Sequence, residues 1–375
     1  MATRAKRNGH FLNIFEMKFK VALFVLLIGY VLGLFVFALS KFRSNDLIPE
    51  VKMISYKMRK QFADLSTKVR TGLYIKNFSV FDFTSNNFTV HGVVWFEFNK
   101  NEIMLNTIDK FSFENSKIVS KSPPHVTINK DKILVRYDVI FEVKTDLNFH
   151  RFPLEDHRLS LVLTNKFVSP DEMYFDDSAD SLSFIVSPHV FTSNWKTHSL
   201  ESSSGYSSVT IDQYRKDRKI RTPKAVFTIN FEKAGVNKIL IIFIPLFAAV
   251  LLALFTFLMS FNSYAGKTTL AVTSVTALLG YRFVIQQMSP SVGYFTIADK
   301  IYIFFILLSF IVLVFQLLLL RQYMFLMDRE KLKKSETPET DVIIYTPRIT
   351  EKINSIIYFI VTAIFAITLS LILLI

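Results

Sequence analysis

The chain contains no cysteine. That absence excludes disulfide staples, thiol catalysis and cysteine-based zinc sites, and it leaves the redox compartment open. There is also no glycine-rich phosphate loop on a strand-to-helix turn and no serine nucleophile elbow, so two common catalytic frameworks are missing. No internal repeat or low-complexity run stands out. His125, His150, His157, His189 and His198 lack metal-ligand spacing and read as ordinary surface or core histidines. The acidic run Asp171, Glu172, Asp176, Asp177 and Asp180 lacks the alternation and the glycine of a calcium loop, and reads as a solvated loop. The sequence therefore offers no catalytic residue, no metal site and no cofactor site, and an enzyme is not expected.

What is abundant is apolar mass. Of 375 residues, 51% are hydrophobic and 15% aromatic, with 39 Phe, a composition that points to a membrane protein. The net charge of +13 is dispersed through strand-like sequence or sits beside apolar helices. Membrane topology and hairpin solvation account for it, so no nucleic-acid partner is expected.

Five stretches are long enough to cross a bilayer: Val21–Ser40, Ile239–Ser260, Thr268–Met288, Ile301–Leu320 and Ile353–Ile375. The first follows Arg4, Lys6, Arg7, Lys18 and Lys20 and ends in Ala38-Leu39-Ser40, which resembles a cleavage site. Residues 1–40 read as a signal peptide or a signal-anchor helix, and the length of the run favours the anchor. Either way, the basic N-terminus stays inside and the next segment is exported. Counting crossings leaves residues 261–267 and the loop 321–352 inside. The latter carries Arg321, Arg329, Lys331, Lys333, Lys334, Arg348 and Lys352, while the outer connection 289–297 has no basic residue.

The exported segment, residues 41–238, begins with a short amphipathic helix over 50–70 and then turns to period-two patterning. The strands are expected at Gly72–Phe81, Phe88–Phe98, His125–Ile128, Ile133–Lys144, Arg158–Phe167, Ser183–Phe191, Ser207–Tyr214 and Lys224–Glu232. Asn129-Lys130-Asp131-Lys132 reads as a hairpin turn. The expected fold class is membrane α+β. It joins the signal or anchor helix, an extracellular antiparallel β-sandwich and a C-terminal four-helix transmembrane bundle over 239–375. The expected location is the plasma or inner cell membrane, multi-pass, in contact with lipid.

The most informative span is 268–288. Thr269, Thr273, Thr276, Gly280 and Phe283 recur at steps of four and three and so share one helix face. The hydroxyls could bond back to helix carbonyls or to neighbouring helices, or they could face water. Lys267 is expected at the inner mouth of the same face, where a ring of copies would set a field for ions. One helix encloses no conduit, so such a pore requires an oligomer. Arg282 lies roughly opposite the stripe and needs water or a partner that the sequence does not name.

The order of parts over about residues 50–375 resembles the pentameric ligand-gated ion channel (Cys-loop receptor) family. "GLYIKNFSVFDFTSNNFTVHGVVWFEF" is similar to its first two strands. "FEVKTDLNFHRFPLEDHRLSLVL" is similar to its signature loop, with Phe152-Pro153 kept, Glu155 in place of Asp, and Thr145 and Leu159 near the cysteine positions, as in prokaryotic members. "FTINFEKAGVNKILIIFIPL" resembles the strand entering the first bundle helix, with Lys233 where many members carry Arg. "AGKTTLAVTSVTALLG" resembles the pore helix, and "SPSVGYFTIADKIYI" the loop entering the next one.

The resemblance implies a homopentamer that passes inorganic ions, opened by a small-molecule or proton agonist between neighbouring outer domains. It implies a coupling set of Asp82, Phe152, Pro153, Glu155, Lys233, Pro290, Tyr294 and Thr296, with Glu155 and Lys233 as a charge pair. By position it assigns Tyr174, Phe175, Tyr214 and Arg215 to the agonist site, where a solvated hairpin tip is the competing reading. Thr276 stands where many members carry a large aliphatic gate residue, and no acidic residue precedes Lys267, which leans toward anion selectivity. The alternative is a non-conducting, membrane-anchored sensor or scaffold whose β domain binds a partner.

Overall fold

A computed structural model describes residues 2–40, 42–53, 66–176, 181–184, 195–210, 219–233, 235–260, 263–336 and 345–374. Side chains are described except at 2–16, 330–336 and 345–348. The chain divides into two compact units: a helical unit of residues 1–41, 149–154 and 237–375, and a β unit of residues 42–148 and 155–236.

In the β unit, the strands are β1 (Thr67–Asp82), β2 (Asn87–Asn99), β3 (Ser112–Phe113), β4 (Ser116–Lys121), β5 (His125–Asn129) and β6 (Lys132–Val143). They continue as β7 (His157–Thr164), β8 (Met173–Asp176), β9 (Leu182–Phe184), β10 (Trp195–Thr210) and β11 (Lys219–Lys233). One sheet has the order β4-β6-β2-β1-β8, with β5 also on β6 and β9 also on β1. The other has the order β10-β11-β7-β3. A single buried cluster draws on both sheets, with Leu73, Phe96, Tyr137 and Phe141 from the first and Leu161, Leu163, Phe227 and Ile229 from the second. The alternation that builds it is plain in β2, where Phe88, Val90, Val94, Phe96 and Phe98 point inward two residues apart or four, with Gly92 between.

Several boundaries differ from expectation. Thr67–Arg70 belong to β1 and not to a helix, because Thr67, Val69 and Thr71 are already buried in alternation with Lys68 and Arg70. Residues 54–65 of that expected helix lie outside the described residues. The sheets are not purely antiparallel: β8 and β9 both run parallel to β1 as short strands, β8 following β7 of the other sheet. β10 and β11 form a hairpin far longer than their apolar cores, since the serine-rich stretch 199–208 pairs through its backbone. The Asn129–Lys132 hairpin is present, with Lys130 at φ 55°. Between β2 and β3 lies one helical turn, α2 (Leu105–Ile108).

Gly72 is demanded by packing. A β-carbon there would overlap the Trp95 indole, which lies directly across in the β1–β2 register.

The helical unit contains α1 (Ala2–Leu39), α3 (Asn237–Phe255), α4 (Tyr264–Met288), α5 (Ile297–Glu336) and α6 (Tyr345–Leu374). Each holds a segment long and apolar enough to cross a membrane. α5 continues to Glu336 and α6 begins at Tyr345, so the expected loop 321–352 is largely helix. Hydropathy marks where a membrane ends; the charged helix-forming run after Arg321 carries the helix on. α3 packs on α4 and α5, α4 on α5, α5 on α6, and α1 on α6. Aromatic rings tie α1 in place: Phe35 lies 4.9 Å from Phe243 and Phe19 lies 5.6 Å from Phe359.

Candidate functional site

The face of α4 comes first. Thr269, Thr273, Thr276, Gly280 and Phe283 are all exposed, Phe283 at 69%. The opposite face, Lys267, Ala271, Ser274, Leu278 and Ile285, is buried against the other helices. Lys267 therefore does not share the threonine face. It stands two residues before Thr269, which at about 100° per residue turns it to the far side, and it is 3% exposed. Its expected place at a pore mouth is corrected on that ground. Lys20 of α1 and Glu351 of α6 are the charges that bear on it.

Ser274, which the stripe passes over, makes the buried polar link between helices. Its hydroxyl donates to the Ala249 carbonyl at 2.7 Å and lies 3.2 Å from Ser309 Oγ. A buried hydroxyl needs such partners. On the exposed face, Thr276 Oγ1 donates to the Val272 carbonyl at 3.0 Å, the back-bonding that the sequence left open. Arg282 now has its partner: Nη1 lies 2.6 Å from Asp299 Oδ1 on α5.

The N-terminus of α5 is built from pieces of two segments. Thr296 and Asp299 form a reciprocal cap, with Asp299 Oδ2 accepting from the Thr296 N–H and hydroxyl and Thr296 Oγ1 accepting from the Asp299 N–H. The next free amides are capped by the loop Phe149–Leu154. Ile297 N–H donates to the His150 carbonyl at 2.9 Å, and Ala298 N–H to the Phe152 carbonyl at 3.0 Å. Tyr294 completes the joint: its hydroxyl accepts the Phe149 N–H at 2.9 Å and its ring stacks on His150 at 3.9 Å. The Phe152–Pro153 bond is cis.

The coupling set implied by the resemblance thus divides. Phe152, Pro153, Pro290, Tyr294 and Thr296 belong to the helical unit, and Asp82, Glu155 and Lys233 to the β unit. Asp82 braces its own turn through the Thr84 N–H and the Ser85 hydroxyl, each at 2.8 Å. Glu155 is buried with Oε1 3.6 Å from His157 Nε2, and the Lys233 N–H donates to Asp156 Oδ1 at 3.2 Å.

Of the expected agonist residues, Tyr174 is half-buried on β8, and Phe175 is 1% exposed inside the core, 6.2 Å from the Phe96 ring. Phe175 is a core residue, so it cannot wall a surface site; successive residues on a strand face opposite sides. Tyr214 and Arg215 lie outside the described residues. Among the described residues, no group of three or more His, Asp or Glu is arranged to hold a metal ion.

No protein-family model matches this chain, and no curated protein matches it.

Proposed function

We propose that the chain is a subunit of a homopentameric, ligand-gated ion channel whose pore is lined by α4. The observation that carries this reading is the exposed row Thr269, Thr273, Thr276, Gly280 and Phe283 on a helix whose other face is packed. A hydroxyl row at that spacing is wettable, and five copies around an axis would enclose it. On this reading the two sheets form a sandwich-type extracellular domain, α3 to α6 form the four-helix bundle, and α1 is an added fifth helix. The basic residues after Arg321 favour a cytoplasmic α5–α6 connection.

Anion selectivity rests on the lack of an acidic residue before Lys267, since Lys267 itself is on the packed face. A reversal potential in a salt gradient measures it, and cation selectivity would remove that part alone.

The second reading, a non-conducting anchored sensor, draws on the Thr276 bond to its own helix, which is how a threonine behaves when no water faces it. The cysteine-free chain makes the decision direct. Cysteines placed at Thr269, Thr273 and Thr276 are treated with a water-soluble thiol reagent during planar-bilayer recording. Modification that changes current at these positions supports the pore. Unreactive cysteines at all three, with no current, support the sensor.

A further inference from the structure

The segment Phe42–Met53, which follows α1, is fastened along the β unit by an unusual concentration of contacts. The Arg43 N–H donates to Asp156 Oδ2 at 2.8 Å, and the Arg43 carbonyl accepts the Asp156 N–H at 2.8 Å. The Phe42 ring stacks on His198 at 4.9 Å, with the Arg158 guanidinium 5.6 Å from its centre. Lys52 exchanges both backbone hydrogen bonds with Tyr206 of β10. A β-carbon on Gly205 would collide with the Lys52 carbonyl, so that glycine makes room for the segment.

At the centre of these contacts lies a buried trio. His157 Nδ1 is 3.0 Å from Asp46 Oδ2 and His157 Nε2 is 3.6 Å from Glu155 Oε1, and no side chain of the three is more than 3% exposed. Asp46 also accepts the Asn148 N–H at 2.6 Å, the Arg158 N–H at 2.8 Å and the Ser44 hydroxyl at 3.0 Å. Phe83 stacks on the imidazole at 4.7 Å, closing it from solvent. Glu155 Oε2 is buried with no hydrogen-bond partner among the described residues. A protonated imidazole donates to a carboxylate on each side, whereas the neutral ring has one N–H to donate, and the two carboxylates then repel in a medium of low dielectric with no positive charge between them.

We propose that Asp46, His157 and Glu155 form a proton-held clasp that fastens Phe42–Met53 onto β7 and β10, and that releases the segment as the imidazole loses its proton. The other titratable or charged side chains on the surrounding elements are Arg43 on the segment, Asp156 and Arg158 beside the trio, His198 on β10, Glu232 and Lys233 on β11, and Asp82 at the β1–β2 turn.

The directions of titration agree. Burial disfavours the charged imidazole, but the Asp46 and Glu155 carboxylates outweigh it and hold His157 above its ordinary 6.5. Burial pushes the Asp46 carboxyl up, while His157 and the two backbone N–H donors bring it below 3.8. Burial raises Asp156, with the Arg43 and Lys233 amides offsetting part of the rise. The His157 contribution is full below 6.5 and is lost as pH rises through the raised value. The Asp46 contribution is present above 3.8 and is lost only as pH falls through its depressed value.

The test uses Trp195, whose ring lies 5.4 Å from His157, and a protonated imidazole quenches indole emission. The chain has 2 Trp, so Trp95→Phe leaves Trp195 as the only indole. In full-length protein in detergent, emission should rise with pH at a midpoint above 6.5. Amide protection over 42–53, corrected for intrinsic exchange, should fall at the same midpoint. His157→Gln should flatten both curves. Asp46→Asn and Glu155→Gln should each lower the midpoint, Asp46→Asn by about one pH unit or more, about a tenfold loss of proton affinity. If His157→Gln does not fold, the two carboxamide variants carry the test. A midpoint at or below 6.5, one that neither carboxamide moves, or protection of 42–53 that stays constant while Trp195 titrates overturns the clasp. No current is recorded, so failure here leaves the channel reading standing.

Discussion

Arg282 and Asp299 meet at one carboxylate oxygen: the guanidinium of α4 holds Oδ1 at 2.6 Å, while Oδ2 caps α5 through Thr296. One carboxylate thus fixes both the start of a helix and its packing on the neighbour.

The two partners should therefore differ on removal. Arg282→Ala breaks the ion pair and leaves the cap, whereas Asp299→Ala loses the ion pair and the carboxylate half of the cap, keeping the bond from the backbone N–H of residue 299 to Thr296 Oγ1. The lost half adds about 1 kcal/mol to the cost. Thermal melting in detergent should rank wild type above Arg282→Ala above Asp299→Ala. Equal losses would mean that the cap contributes nothing.

Adjacent residues on α4 should separate into two kinds. Ser274→Ala removes the interhelical bond to Ala249, costing about 1 kcal/mol; on the proposed channel reading it leaves unit conductance unchanged. On the same reading Thr273→Leu, on the exposed face, should leave the melting temperature near wild type and lower conductance. Single-channel recording beside melting curves checks both.

Gly72→Ala should destabilise the β unit by about 1–3 kcal/mol through overlap with the Trp95 indole. Combining it with Trp95→Phe, which removes the offending second ring, should recover part of that loss. Denaturant midpoints for the two singles and the double supply the cycle.

Lys121 lies 4.4 Å from the centre of the Phe111 ring and 4.8 Å from that of Tyr137, paired with Asp109 at 2.8 Å. Its hydrogen bond holds the Asp109 carboxyl below 3.8. A depressed carboxyl contributes stability above that value and loses it as pH falls through its folded value. Lys121→Met should release Asp109 to its ordinary range. Acid melting curves should then show a smaller loss of stability below 3.8 than in wild type.

Much of this was legible where the signal is local. The five apolar spans, the period-two strands and the threonine face all follow from spacing within one element. What escaped depends on a second element. Nothing near Lys267 in sequence reveals that its face packs on other helices, and the partner of Arg282 lies in a different helix. Phe175 reads as an aromatic beside an acidic run, and only the parallel pairing of β8 with β1 turns its ring into the core. Boundaries failed for a related reason. α5 continues past its apolar stretch on helix-forming charged residues, and β10 pairs along serines that carry no hydrophobic pattern.

The loop Phe149–Leu154 holds α5 by two carbonyl oxygens, those of His150 and Phe152. Every amino acid owns such an oxygen, so this part of the joint is written in spacing, beside the side-chain stack of His150 on Tyr294. A residue-by-residue substitution scan would pass over positions 150 and 152 with little effect from the carbonyls. Deleting or inserting a single residue between them would slide both oxygens off their amides at once. The loop should thus tolerate changes of letter far better than changes of length.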